Sequence, residues 1–146
     1  MPSGVYVRSF IKPELTQIEL GWLAGILEGE GSFYFSVDSY INAHVHISVH
    51  STDQDIILRI GKLMHTKCRG AAPPRQPHHK KQYFTFASGE QALFIMRMLL
   101  PYMGERRTVQ IRSAIIGWEN RDAIKEWMRS NRKIPLSHLS LESLGL

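Results

Sequence analysis

The chain has few of the residues that staple or anchor a protein. It contains one cysteine, Cys68, so no disulfide can form within it; that fits a reducing compartment. No apolar run reaches the roughly 20 residues that a membrane span needs. The opening residues, MPSGVYVRSF, hold no long apolar segment of the kind that directs secretion. An intracellular protein with no membrane partner is expected, in an organelle, a bacterium or a phage. Histidines close in sequence raise the question of a zinc site. His44, His46 and His50 are the nearest candidates, but His50 lies roughly 13 Å along an extended chain from His46, too far for one ion.

What remains is an ordinary globular composition, 43% hydrophobic and 21% charged over 146 residues, enough for one buried core. One domain is expected over 1–146, with a core at 13–120 and a C-terminal helix and tail at 121–146. The formal charge is +5 and the pI about 9.6. Such a surplus is compatible with nucleic acid. The basic residues are grouped: Lys80 and Lys81 open a strand, Arg106 and Arg107 separate two apolar helices, and Arg129, Arg132 and Lys133 crowd a late helix.

Periodicity gives the order of elements. Thr16 and Glu19 have capping-box spacing just after Pro13, and predict a helix running to about Gly29. The segment 32-SFYFSVD-38 alternates, with Phe33, Phe35 and Val37 against Ser32, Tyr34, Ser36 and Asp38. After 39-SYIN-42 the alternation resumes, with Val45, Ile47 and Val49 against His44, His46, Ser48 and His50; the pair reads as a hairpin. A helix follows at 53–65, then a weak strand at Cys68 to Ala71, a proline-rich loop and a clearer strand, 81-KQYFTFA-87. Helices are expected at 90–103, 107–120 and about 122–132. The pattern is α+β, αββαββα, with one four-stranded antiparallel sheet. Helices cover one face and the other is open and polar.

The first helix is a poor one by intrinsic preference. Gly21, Gly25 and Gly29 recur every fourth residue, each costing roughly 1 kcal/mol against alanine. Glu28 and Glu30 sit at its C-terminal end, where the macrodipole is already negative. The glycines share one face and the remaining faces carry Leu20, Trp22, Leu23, Ile26 and Leu27. A stripe of small residues lets another backbone approach closely, either within one domain or from a second chain.

The segment 23-LAGILEGEG-31 closely resembles the signature of the LAGLIDADG homing endonucleases, with conservative differences at Ile26, Leu27, Glu28, Gly29 and Glu30. Trp22, Ser32 and Phe33 around it, the order of elements, and the segments 51-STDQDIILRIGKL-63 and 101-PYMGERRTVQI-111 are similar to the family as well. The resemblance implies a single-motif, homodimeric member in which the striped helices of two subunits pack on a two-fold axis through Gly21, Gly25 and Gly29. It implies that Glu30 is a metal-binding catalytic carboxylate, where relatives more often have Asp, and that the Gly29 carbonyl supports it. Two carboxylates and two negative helix ends in apposition repel, and a divalent cation, Mg²⁺, relieves that repulsion. Glu28 is expected to be structural. Asp53 matches a position that orients active-site water, and otherwise caps its helix. Arg106 matches a basic position that offsets phosphate charge, and otherwise is an exposed surface charge.

The open face then has a use, as a β-surface in the DNA major groove. Tyr34, Ser36, Asp38, His44, His46, Ser48 and His50 are expected on it, continued by Tyr83 and Thr85, with Arg69 from the weak strand. Arg75, Lys80 and Lys81 are better placed for phosphates. His78 and His79 are expected to face solvent or phosphate. A strand of about nine residues matches about nine base pairs, so a dimer would span a long, roughly palindromic site. The expected activity is a metal-dependent double-strand break, in an enzyme encoded within an intron. An RNA maturase that assists intron splicing, and a DNA-binding module that does not cut, are the alternatives.

Overall fold

A computed structural model describes residues 10–70 and 78–131 of the chain. The elements run α1 (Gln17–Glu30), β1 (Gly31–Val37), β2 (Ala43–Ser51), α2 (Gln54–Met64), β3 (Arg69–Gly70), β4 (Tyr83–Ser88), α3 (Gly89–Leu99), α4 (Glu105–Glu119) and α5 (Arg121–Ser130). This is the expected α+β order. Arg75 and the tail beyond 131 lie outside the described residues.

The start of α1 forms as its sequence requires. The Glu19 N–H donates to Thr16 Oγ1 at 3.2 Å, and the Thr16 N–H donates to Glu19 Oε1 at 3.0 Å. The helix expected at 90–103 ends sooner. Pro101 has no N–H to continue an α-helical ladder, and Leu100–Tyr102 tighten into a 3-10 turn.

The four strands form one antiparallel sheet in the order β1-β2-β4-β3. Phe33 pairs with Ile47, Phe35 with Val45, and Ile47 with Ala87. These side chains point under the helices, where Leu23, Leu27, Ile57, Ile60, Met64, Leu93, Met96 and Ile111 complete the core. The Arg59 guanidinium lies 3.9 Å from the centre of the Trp22 ring and ties α2 to α1. Gly117 lets α4 come down on β1, because a Cβ there would sit 2.6 Å from the Phe35 ring.

The face assignment of β4 is corrected by its register. Thr85 pairs with Val49 and Tyr83 with Ser51, so both lie on the helix-covered face. Thr85 is fully buried; its hydroxyl meets that of Thr66 and donates to the Lys67 carbonyl at 3.0 Å. A period-2 strand offers two faces, and in 81-KQYFTFA-87 both hold large rings, so alternation alone does not say which is inside. Phe84 and Phe86 therefore occupy the open face, Phe84 opposite His50 and Phe86 opposite Ser48.

Candidate active site and nucleic-acid interface

Helix α1 runs directly into β1, and Gly31 pairs with Val49 of β2. That join places the end of α1 beside the end of β2. Glu30 and Asp53 consequently line one cleft, together with Ile26, His50, Ser51 and Gln82. Both carboxylates are exposed. Asp53 occupies the N-cap position of α2, yet its side chain makes no capping hydrogen bond; its backbone N–H donates to Ser51 Oγ at 3.0 Å. Its carboxylate is left to face the cleft.

The negative end of α1 is compensated from another element. α1 has no basic residue in its last turn. Arg107 of α4 supplies the charge: its Nε donates to the Glu28 carbonyl at 2.8 Å and its Nη2 to the Gly29 carbonyl at 3.3 Å. Its Nη1 donates to Gln110 Oε1 at 2.9 Å, which fixes the fork. In return, Glu28 Oε2 accepts the Gly104 N–H at 3.1 Å, at the start of α4. Two helix ends of opposite polarity are thus clasped together. Glu28 is structural, as expected. Charge grouping alone does not distinguish Arg107 from Arg106, although helix spacing shows its direction: it lies four residues before the buried Ile111 and seven before the buried Ala114. Arg106 is exposed, one turn position away.

Glu30, Asp53 and the Gly29 carbonyl are hard oxygen donors, the set suited to Mg²⁺. Among the described residues, no three His, Cys, Asp or Glu side chains group closely enough to hold an ion alone. Mg²⁺ needs no such cage, since it keeps several waters and takes one or two carboxylates together with substrate phosphate. The donors present fit that role.

The open face carries Ser32, Tyr34 and Ser36 of β1, His44, His46, Ser48 and His50 of β2, Phe84 and Phe86 of β4, and Arg69 of β3. Asp38 is engaged in the turn that follows β1. Its carboxylate accepts the Tyr40 and Asn42 N–H groups, each at 2.9 Å, and lies 3.0 Å from His44 Nε2. The His44 hydrogen bond, helped by Asn42 and Tyr40, holds the Asp38 carboxyl down at about 2. Burial, with His44 alongside, pushes the His46 imidazole below its ordinary range. Lys80, Lys81, His78 and His79 are exposed beside β4.

Among the described residues, the glycines of α1 have open space beside them: a Cβ at Gly21, Gly25 or Gly29 would have no atom within 4 Å beyond its own helix turn. Ile18, on the same side of the helix, is 82% exposed. No helix of the described residues is long and apolar enough to cross a membrane.

No protein-family model and no curated protein sequence matches the chain. Solved structures do match it in shape. The homing endonuclease I-CvuI, in complex with uncleaved DNA in the presence of magnesium, shares 19% identity at a TM-score of 0.55, over 88% of this chain and 91% of that one. An archaeal intron-encoded homing endonuclease complexed with DNA shares 14% identity at a TM-score of 0.52, over 87% of this chain and 76% of that one. The group I intron-encoded homing endonuclease I-CeuI, also complexed with DNA, shares 15% identity at a TM-score of 0.52, over 92% of this chain but 64% of its own length. The chain thus has the fold of the LAGLIDADG homing endonucleases.

Proposed function

We propose that the chain is a homodimeric, metal-dependent DNA endonuclease that cuts both strands of a long, roughly palindromic site, one active site per strand. The observation that carries this reading is the shared cleft of Glu30 and Asp53 at the end of the glycine-striped helix, next to the open sheet face. Its likeness in fold to homing endonucleases complexed with DNA supports it. We further propose that it is an intracellular enzyme encoded within an intron.

Each residue has a distinct task. Glu30 presents a carboxylate, and the Gly29 carbonyl a second oxygen, towards the scissile phosphate. Arg107 takes one lone pair of that carbonyl and leaves the other free. Asp53 accepts a hydrogen bond from the attacking water and orients it. Arg106 offsets phosphate charge. A bound Mg²⁺ would supply Lewis-acid stabilisation of the phosphate and a more acidic water. The sheet face lies in the major groove, and Lys80 and Lys81 contact phosphates. Two subunits meet through Gly21, Gly25 and Gly29, which brings the two clefts to opposite strands.

The test is cleavage selection from a random DNA library in Mg²⁺, comparing the native protein with Glu30→Gln. The native protein should release a roughly palindromic site of about two dozen base pairs or fewer, scaled from strand length and helical rise. Glu30→Gln should bind that site without cutting it. Cleavage by neither protein, with tight nucleic-acid binding by both, would point to a binding module or an RNA maturase.

A further inference from the structure

The open sheet face is not uniformly polar. Tyr34, His46, Phe84, Phe86 and His50 ring a groove of about 320 Å³ with Ser48 among them. Tyr34 remains 42% exposed and Phe86 36%. The rings are mutually arranged: Tyr34 to His46 at 5.2 Å, His46 to Phe86 at 6.2 Å, His50 to Phe84 at 5.4 Å, and Phe84 to Phe86 at 6.4 Å. Positive charge flanks them, with the Arg69 guanidinium 5.3 Å from the Phe86 ring and Lys80 and Lys81 exposed nearby.

Cations around an apolar groove suit a polyanion whose contacted edge is itself apolar. In the major groove, the apolar group on the base edges of unmodified DNA is the thymine 5-methyl. We propose that Phe84 and Phe86, with Tyr34 and His46, are specificity-determining residues that select thymine methyls in duplex DNA. The inference rests on the DNA-cleaving reading above and names what that surface prefers. Phe84 and Phe86 stand two residues apart on one strand. At about 3.3 Å per residue against about 3.4 Å per base pair, they address positions about two base-pair steps apart. An unpaired base is the poorer occupant. Such a base stacks on a free ring face, and Phe84 already lies nearly parallel to His50 at 5.4 Å and to Phe86 at 6.4 Å.

The test uses the Glu30→Gln full chain, so that binding is read apart from cleavage. A duplex site is selected by binding, and uracil, which lacks only the 5-methyl, then replaces each thymine in turn. Thymine should recur in each half-site, and uracil at one or more of those positions should weaken binding about fourfold, the value of one buried methyl. Phe84→Ser with Phe86→Ser should bind thymine and uracil duplexes alike. Specific duplex binding with equal affinity for uracil at every position overturns the inference and leaves the endonuclease reading standing. Absence of duplex binding, or preference for single-stranded RNA, overturns both.

Discussion

Arg107 and Glu28 show how single side chains make an unfavourable helix end tenable. The last turn of α1 carries two acids, and beyond the Leu27 carbonyl, which accepts the Gly31 N–H, its final carbonyls have no intrahelical partner; all are of one electrical sense. The Arg107 fork binds two of those carbonyls, and Glu28 turns away to the Gly104 N–H. Hydrogen bonds to a charged group are worth about 1.5–3 kcal/mol each when broken. Arg107→Ala should therefore lower stability by about 2 kcal/mol, measured by urea denaturation at fixed protein concentration. Arg107→Lys should recover only part of it, because a point charge cannot span both carbonyls. Glu30→Gln, by contrast, should leave stability within about 0.5 kcal/mol of native, as expected for an exposed side chain away from structural contacts, while cleavage is lost.

The β1–β2 turn has its own electrostatic latch. Asp38 is held down at about 2 by His44, Asn42 and Tyr40. A carboxyl lowered on folding contributes stability above its unfolded value, near 4, and that contribution fades as pH falls towards 2. Asp38→Asn should therefore destabilise the turn at neutral pH, and the gap from native should close between about pH 4 and pH 2. Amide-exchange protection of residues 38–44, followed on acidification, measures this. The same turn carries Ile41 at φ 62, a left-handed conformation unusual for a β-branched residue, so its geometry depends on the Asp38 bonds rather than on intrinsic preference.

At the scale of the whole molecule, the glycine-striped face of α1 has no neighbour among the described residues, and that face decides the assembly we propose. A Cβ at position 25 has open space among the described residues beyond its own helix, and Gly25→Leu removes an interior glycine, which favours the helix by roughly 1 kcal/mol. The variant should fold as a monomer at least as stable as the native subunit, yet fail to dimerise and fail to cut both strands. Sedimentation velocity beside circular dichroism separates the two effects. A variant that remains a fully active dimer would place the interface elsewhere.

Much was legible in the sequence. The capping box at Thr16 and Glu19, the alternation of β1 and β2, and the helical spacing of α2 depend on contacts within a few residues, and each formed where its pattern put it. The nine-residue segment at Leu23–Gly31 carries the resemblance to homing endonucleases, and the fold agrees with it. Other features depend on partners far along the chain. Which face of β4 is buried was decided by pairing with β2 and by the hydroxyl of Thr66, so Thr85 went inside and Phe86 outside. Arg107 found carbonyls 78 and 79 residues away in sequence. Local sequence fixes conformation where the interacting atoms are near in the chain. The direction of a side chain is settled only when another element, brought close by folding, offers it a partner or denies it space.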